Sequence, residues 1–397
     1  MARPASLDVF LGDEHVLPVA AIPLAPGRQR SDVVQAFLEN LLPEGELRAY
    51  IVEQKKASTL FSLLYEVAGD TAGGFVILPA GEQPAPPSYE PTTWQALADF
   101  LGGKSASAID IKGDHARISL AGAQDKASIA LFEDGVPWLP QGTSPSAHIL
   151  KPDIRRLAKV WHSAANETVM MRTPALCKRP TAGVLYEPRT QACVVKRFDR
   201  LQRPDGTLGR LLQYDFCQLA GTVSERKYEA EGGAGAVRCA ALIRQYSAQP
   251  AVDLKNFVGW LFFNLYTGNN DSHAKNLSLY RVPGGGLQLT PFYDLMCTRI
   301  YPGLSPHFAL SIGGETRPGA IDRTHATVLA QALGMRPAFV LGLAEDIAKR
   351  LPDAMGRAVE SIQPDLSSGA GTLVERLQRF VTSTTRQMVK RLLGAAP

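Results

Sequence analysis

A short polar segment, Gly268–Asn276, carries side chains that could do chemistry. Asp271 offers a carboxylate that could accept a proton, and Asn276, five residues later, offers an amide oxygen. A second carboxylate, Asp294, follows a hairpin pattern that turns at 283–286. Oxygen atoms of this kind are the ligands that magnesium prefers. An Asn-Asn-Asp cluster alone is usually a turn, so the prediction of a site depends on the ordered set, which lies between an apolar helix and a hairpin.

The spacing of these residues is that of a protein-kinase catalytic loop, D-x-x-x-x-N. In kinases the carboxylate lies where a substrate hydroxyl attacks phosphorus, and the asparagine binds a magnesium ion on the phosphates. Asp294 stands where a metal-binding aspartate follows this loop, although Leu295 replaces the usual Phe-Gly. The order of residues predicts transfer of the γ-phosphoryl group of Mg-ATP to a hydroxyl.

Segments upstream of the loop follow the order that kinases use. Lys151 directly follows a predicted strand, 146–150, and could neutralise phosphate oxygens. Glu167 lies sixteen residues later on a predicted helix, 155–172, and could pair with that lysine. A solvated lysine and a surface glutamate are the plainer interpretations. The loop 118–126 is rich in small residues, so its N–H groups could approach phosphates, but it could equally be an ordinary tight turn.

The remaining pattern separates a mixed N-terminal part from a helical C-terminal part. Up to residue 91 the sequence predicts a hairpin, three helices, a strand and a Pro-rich linker, at 6–22, 33–42, 45–55, 59–68, 73–79 and 80–91. The next region is rich in predicted strands, at 116–120, 126–132, 146–150, 181–187 and 192–198. From residue 211 helices dominate, and 254–266 is the strongest. The strand 192–198 holds Lys196, Arg197 and Phe198, where a hinge between lobes would bind adenine through its backbone; otherwise it is simply a strand end.

Composition excludes several classes of protein. The chain has 397 residues, of which 45% are hydrophobic, and its 42 basic and 38 acidic residues give a net charge of +4, so it can fold around a large core and is not intrinsically disordered. Its five cysteines are dispersed and form no CxxC pair, which favours a reducing compartment over a disulfide framework or structural zinc. No apolar run is long enough to span a membrane. The sequence therefore predicts a cytoplasmic protein that does not enter a membrane.

Two runs make the sequence recognisable, namely Ala121–Lys126 (AGAQDK) and Asn269–Asn276 (NNDSHAKN). With them the chain resembles the HipA family, the serine/threonine-kinase toxins of bacterial HipBA-type toxin–antitoxin modules. The resemblance covers nearly the whole chain, and its other matches are at 37–45, 73–75, 148–152, 166–167, 196–200, 213–218 and 293–294.

The resemblance implies an α+β, two-lobed protein-kinase-like fold. An N-terminal accessory subdomain would occupy residues 1–90 and the strand-rich core of the N-lobe residues 91–200. A mostly helical C-terminal lobe would occupy residues 201–397, and ATP would bind in the cleft between the lobes.

The resemblance also assigns roles to residues. Asp271 would be the catalytic base, Asn276 and Asp294 would bind Mg²⁺, and Glu167 would pair with Lys151. ATP would contact Ala121, Gly122, Ala123, Gln124, Asp125, Lys126, Lys151, Lys196, Arg197, Phe198, His273, Lys275, Asn276, Tyr293 and Asp294. Ser119 would be an autophosphorylated serine whose phosphorylation silences the kinase, because a new dianion cannot stay buried near ATP.

Partners follow from the same resemblance. The substrate would be a translation protein of the aminoacyl-tRNA synthetase class, and its phosphorylation would inhibit growth and favour persistence. A HipB-like helix-turn-helix antitoxin would bind the chain and mediate most contact with operator DNA. A predicted C-terminal helix, 373–393, has a basic face that could touch DNA or could simply be solvated; its residues are Arg376, Arg379, Arg386, Lys390 and Arg391.

Two departures and two alternatives bear on this assignment. Lys196 stands where the family often has glutamate, and Tyr214 where an acidic residue is common. The first alternative is a catalytically weak co-repressor subunit that binds an antitoxin and operator DNA. The second is a metal-dependent hydrolase using Asp271, His273 and Asp294, although the sequence lacks a second histidine motif.

Overall fold

The computed structural model describes residues 31–57, 59–67, 69–79, 81–103, 110–111, 124–132 and 134–394. The predicted hairpin at 6–22 and the predicted strand at 116–120 lie outside these residues. Within them the chain forms α-helices α1 Ser31–Glu39, α2 Gly45–Lys55, α3 Leu60–Val67, α4 Trp94–Gly102, α5 Ser163–Leu176, α6 Phe216–Ala220, α7 Ala236–Tyr246, α8 Pro250–Thr267, α9 Arg323–Ala332, α10 Pro337–Glu360 and α11 Ser368–Leu393.

In the described part of the chain the strands form three antiparallel sheets. They are β1 Tyr89–Pro91, β2 Ala127–Leu131, β3 Pro137–Pro140, β4 His148–Lys151, β5 Val184–Glu187, β6 Ala192–Lys196, β7 Arg200–Gln202, β8 Leu208–Arg210, β9 Gln213–Asp215, β10 Ser278–Arg281 and β11 Leu287–Leu289. The largest sheet has the order β1-β3-β2-β4-β6-β5, and the smaller ones have the orders β11-β10-β9 and β7-β8.

The large sheet is covered on both faces, and this decides where its side chains point. Leu150 of β4 belongs to a small apolar cluster with Leu97 and Leu101 of α4. Successive strand residues point to opposite faces. Lys151, the next residue, therefore points to the other face, where α5 packs against β5 and β6.

The helical half of the molecule is built around α8. Its interior side chains Phe257, Trp260, Phe262, Phe263 and Tyr266 are almost completely buried, and burial of each large apolar side chain stabilises the fold by about 1.5–3 kcal/mol. Helix α8 packs on α7, α10 and α11. A rigid core helix thus leads directly into the segment that carries Asp271.

Sequence periodicity located the helices well, with one clear error. The helix predicted at 45–55 has the same bounds in the structure, and those predicted at 254–266 and 373–393 extend to 250–267 and 368–393. The helix predicted at 155–172 is wrong at its start, because α5 begins only at Ser163. His162 has a left-handed backbone (φ 51°), and the carboxylate of Asp153 accepts the N–H of Ala164 at 2.9 Å, so an upstream residue caps the helix.

Two other predictions are corrected by the structure. The strand predicted at 73–79 does not form, because Gly73 has φ 82° and its N–H donates to the carboxylate of Asp199 at 2.6 Å rather than to a neighbouring strand. The predicted linker at 80–91 ends in β1, whose residues Tyr89–Pro91 pair with β3. The Pro-rich composition therefore marks a connection that closes onto the sheet edge.

A buried ionic network joins the N-terminal segment to the sheet. Asp70 is fully buried and receives hydrogen bonds from Ser146, Arg197 and Arg200. Asp199 receives two more from Arg197, at 2.9 and 2.8 Å. Burial alone would raise the pKa of each carboxyl, but the arginines lower the pKa of both Asp70 and Asp199, so the network stays ionised.

No helix in the described part of the chain is long and apolar enough to cross a membrane.

Candidate active site

The loop after α8 projects Asp271 outward. Gly268 ends the helix in the left-handed conformation (φ 71°), and a Cβ there would lie 2.8 Å from the ring of Phe380, so glycine is required. Asn269 and Asn270 bond inward, to the side chain of Asn264 at 2.8 Å and to the carbonyl of Ser305 at 3.0 Å. Asp271 is exposed between buried neighbours. The local fold therefore leaves the carboxylate of Asp271 exposed to solvent.

Asn276 completes the turn that follows. Its amide nitrogen donates to the main-chain carbonyl of Asp271 at 3.0 Å, so the amide oxygen is the atom that can face a cation. The hairpin of β10 and β11 then leads to Tyr293, whose hydroxyl donates to the carbonyl of Lys275 at 3.0 Å and bonds Ser278 at 2.7 Å. The hairpin is thereby fixed to the Asp271–Asn276 turn.

Asp294 lies at the end of this hairpin in a strained conformation. Its φ is 56°, a left-handed value that is uncommon for residues other than glycine. Such strain persists where the surroundings enforce it, commonly at functional sites. Oδ1 of Asp294 lies 2.7 Å from Nζ of Lys151, so the C-terminal half is tied directly to β4.

Lys151 also meets Glu167, at 2.6 Å from Oε1. This is the contact that the resemblance implies, and α5 supplies the glutamate from the face of the sheet to which Lys151 points. The side chains of Lys151 and Glu167 are 7% and 2% exposed, whereas that of Asp294 is 43% exposed. Asp294 is therefore the member of the trio that a bound group can reach.

Lys151 and Asp294 stabilise each other's charge, whereas burial and Asp294 raise the pKa of Glu167. Burial disfavours the ammonium, but the carboxylates of Asp294 and Glu167 raise the pKa of Lys151 well above its ordinary value. The surrounding protein removes part of the water around the carboxylate of Asp294, yet Lys151 and Lys126 lower its pKa. Both groups are charged at neutral pH. The site presents an ammonium and an accessible carboxylate side by side.

Lys126 adds a second cation near the trio. Burial and the charge of Lys151 lower the pKa of Lys126 to about 8, while Asp294, Glu44 and Glu167 oppose that shift. Of the loop assigned to the phosphates, Gln124, Asp125 and Lys126 are described. Ala121, Gly122, Ala123 and the proposed phosphoserine, Ser119, lie outside the described residues.

The segment assigned to adenine follows β6. Lys196 is exposed, and the ring of Phe198 packs on Tyr293 and Tyr280 with centroids 5.2 and 5.8 Å apart. Arg197 points away into the buried network with Asp70. Arg197 could therefore contact a nucleotide only through its main chain. Phe198 and Tyr293 offer an aromatic surface on which the base could pack.

Two other assigned residues have different surroundings. His273 is buried, and burial lowers its pKa to about 4, so it is neutral at pH 7. Lys275 is also buried, and its ammonium lies 2.7 Å from Glu44 rather than in open space. Neither side chain is presented to solvent in the way that Asp271 is.

Glu44 is a residue to which sequence reasoning gave no role. It precedes α2, yet its carboxylate lies 2.7 Å from Lys275 and 2.8 Å from Lys227. Burial opposes ionisation, but these two lysines lower the pKa of Glu44 to about 2. The only sequence signal was its place in the 37–45 match, which names no contact.

Tyr228 is the second residue that sequence reasoning missed. Its hydroxyl donates to Oδ1 of Asp271 at 2.5 Å, and its ring meets the ring of His273 edge-on with centroids 5.1 Å apart. No motif marks it, because it lies 43 residues before its partner. The proposed catalytic carboxylate therefore already has a hydroxyl partner.

The donor atoms fit a magnesium ion. Asp294 keeps an accessible carboxylate, and Asn276 has its amide oxygen left for a cation because its nitrogen is bonded to Asp271. Both are hard oxygen ligands, and Mg²⁺ typically takes one or two protein ligands together with phosphate oxygens and water. The described residues contain no group of three or more His, Cys, Asp or Glu side chains suited to a metal.

Comparison with known protein families gives two matches along the chain. The HipA N-terminal domain matches residues 9–78, and the HipA-like C-terminal domain matches residues 118–355. The second match alone covers more than half of the chain.

Individual proteins give the same result. "Putative kinase Y4mE" of Sinorhizobium fredii is 32% identical over 89% of this chain and 86% of its own length. "Serine/threonine-protein kinase toxin HipA" of Shewanella oneidensis is 28% identical over 87% of this chain and 83% of its own length.

The fold is similar to a solved structure described as the Shewanella oneidensis HipA, HipB and operator DNA complex. The two chains superpose with a TM-score of 0.82 at 25% identity, covering 95% of this chain and 90% of the other. The expected kinase-like α+β fold is thereby confirmed. Two family models, relatives over most of the chain and a shared fold place this protein in the HipA family.

Proposed function

We propose that this protein is an ATP-dependent serine/threonine protein kinase and the toxin of a type II toxin–antitoxin module. The observation that carries the proposal is the contact of Lys151 with both Glu167 and Asp294, which come from three separate segments. The same site also contains the exposed carboxylate of Asp271. A scaffold with no catalytic task would have no need of an outward-facing carboxylate on a pinned loop, or of the strained backbone at Asp294.

The chain's residues divide the work of phosphoryl transfer. Lys151, oriented by Glu167, neutralises phosphate oxygens, and the aromatic surface of Phe198 and Tyr293 receives the base. Asn276 and Asp294 would hold Mg²⁺, which neutralises the charge of the phosphates when it is bound. Asp271 accepts the proton of the acceptor hydroxyl as its oxygen bonds to the γ-phosphorus and the bond to ADP breaks.

Autophosphorylation at Ser119 belongs to the same proposal. A phosphoserine adds nearly two negative charges, which is incompatible with a loop that must lie against the phosphates of ATP. We therefore expect the chain to label itself once on Ser119 and then to lose activity towards other proteins.

The experiment combines labelled Mg-ATP with peptide mass spectrometry. We expect label on Ser119 in the wild type, none in Ser119→Ala, and a longer-lived transfer activity in that variant. Ser367→Ala, which removes the N-cap side chain of α11, is the matched control and should label as the wild type does. Equal labelling of Ser119→Ala and wild type would contradict the assignment of this serine.

The partners of the relatives supply the rest. The similar structure is a HipA–HipB–operator DNA complex, which supports a HipB-like helix-turn-helix antitoxin as partner and DNA contact mainly through it. We propose a translation protein of the aminoacyl-tRNA synthetase class as substrate. Mass spectrometry of cells after induction, comparing wild type with an Asp271 variant, would identify the phosphorylated protein.

A further inference from the structure

The hydroxyl of Tyr228 occupies a place beside Asp271 that a phosphate acceptor would need. It donates to Oδ1 of Asp271 at 2.5 Å, a short distance typical of a hydroxyl bonded to a carboxylate. In a kinase the acceptor hydroxyl must itself come within hydrogen-bond reach of the catalytic carboxylate. Tyr228 thus forms with Asp271 the contact that a substrate hydroxyl forms in the reaction.

The position of the ring is built into the fold. The turn after Tyr228 closes on itself, because its carbonyl accepts the N–H groups of Glu231 at 3.1 Å and Gly233 at 2.9 Å. A Cβ at Gly233 would lie 2.2 Å from the carbonyl oxygen of Arg226, so only glycine fits. The neighbouring carboxylate of Glu229 accepts the hydroxyl of Ser311 at 2.8 Å, which anchors the turn to another part of the C-terminal half.

Two side chains pack against the ring. His273 meets it edge-on, and the ammonium of Lys227 lies 5.5 Å from its centroid. Lys227 is itself fixed by Glu44 at 2.8 Å. Burial and the charge of Asp271 raise the pKa of Tyr228, so the phenol remains a donor. The surrounding side chains therefore fix the position of Tyr228 and its contact with Asp271 in the protein without bound substrate.

We propose that Tyr228 is a placeholder that keeps water off one oxygen of the exposed carboxylate, Oδ1 of Asp271, until an acceptor hydroxyl displaces it. This inference rests on the proposed kinase function. It concerns which molecule accepts the γ-phosphoryl group, a protein hydroxyl or water. With Oδ1 uncovered, water could give its proton to Asp271, its oxygen could bond to the γ-phosphorus and ADP could leave. A bulky acceptor that binds across the cleft can displace the phenol, whereas a single water molecule offers too few contacts to do so.

The test compares wild type, Tyr228→Phe and Tyr89→Phe. Tyr89→Phe also removes one hydroxyl hydrogen bond, to the carbonyl of Pro145 at 2.9 Å, but lies on β1 away from Asp271. Release of inorganic phosphate from Mg-ATP is measured without added acceptor, and transfer of label is measured to the chain itself and to casein.

We expect phosphate release by Tyr228→Phe to rise roughly tenfold, the effect of removing one hydrogen bond to a charged group. Label transfer should not fall below the wild-type rate, because the acceptor no longer has to displace the phenol, and Tyr89→Phe should match the wild type in both assays. Adding Asp271→Asn to Tyr228→Phe should abolish the extra phosphate release, because the leak uses that carboxylate.

Three results would overturn the proposal and leave the kinase function standing. Unchanged phosphate release would mean that Tyr228 excludes nothing, and a parallel fall in release and transfer would make it a positioning partner of Asp271. Label on Tyr228 itself would make it an acceptor. If neither the wild type nor any variant transfers label or releases phosphate, both the kinase function and the role of Tyr228 are wrong. That outcome differs from label transfer with unchanged phosphate release, which contradicts only the role of Tyr228.

Discussion

Replacing Asp271 by asparagine should lower the rate of phosphoryl transfer by roughly 10²–10⁴-fold, the usual contribution of a general base. Asparagine keeps the shape of the side chain and an oxygen that can still accept the hydroxyl of Tyr228, but it cannot take the acceptor's proton. Because Asp271 is exposed and makes no ion pair in the described residues, stability should hardly change. Transfer of label from ATP at saturating concentration measures the effect.

Binding of Mg-ATP should survive this substitution, since Lys151 and Asp294 remain in place. Asp353→Asn is a suitable control, because it removes an exposed carboxylate from the surface of α10. A transfer rate for Asp271→Asn within tenfold of the wild type would assign the base to another group.

Replacing Lys151 by methionine should both destabilise the protein and abolish binding of Mg-ATP. The change leaves Glu167, 2% exposed, as a buried carboxylate without its partner. Loss of one member of a buried ion pair typically costs about 3–5 kcal/mol. Chemical unfolding followed by circular dichroism measures the loss, and titration with a fluorescent ATP analogue measures binding.

A double variant separates the two effects. Lys151→Met with Glu167→Gln removes both charges, so we expect most of the stability to return while Mg-ATP binding stays absent. Recovery of nucleotide binding in the double variant would show that Lys151 serves only to neutralise Glu167. A single variant as stable as the wild type would mean that Glu167 is protonated or solvated.

The part of the site that could be predicted from sequence is the part whose geometry is local. Asp271 and Asn276 lie five residues apart on one turn, so their spacing alone predicts that they act together. Lys151 and Glu167 are farther apart, but strand alternation and a following helix constrain them. Asp294 depends on a hairpin that the glycine-rich turn already indicates.

The residues that sequence reasoning missed come from distant segments. Glu44 precedes a short helix near the N-terminus and meets Lys227, 183 residues later. Tyr228 lies in an irregular turn whose path is set by Gly233 and by the anchor at Ser311. Only the tertiary fold brings such residues to the loop of Asp271. Neither residue spacing nor hydrophobic periodicity in the sequence predicts these contacts.

Errors in the predicted elements have a similar origin. The sequence predicts a helix from residue 155, but the left-handed His162 and the cap Asp153 fix the start of α5 at Ser163. At 73–79 the pattern suggests a strand, yet the carboxylate of Asp199 takes the N–H of Gly73. In both places a long-range side-chain contact overrides a local propensity.

The most direct measurement is an experimental structure of the protein with Mg²⁺ and a non-hydrolysable ATP analogue. We expect the ion to contact oxygens of Asn276 and Asp294, the phosphates to approach Lys151, and the γ-phosphate to face Asp271. The account would be contradicted if the nucleotide bound elsewhere and the metal contacted neither Asn276 nor Asp294. Lys151 and Asp271 would then also have no contact with the phosphates.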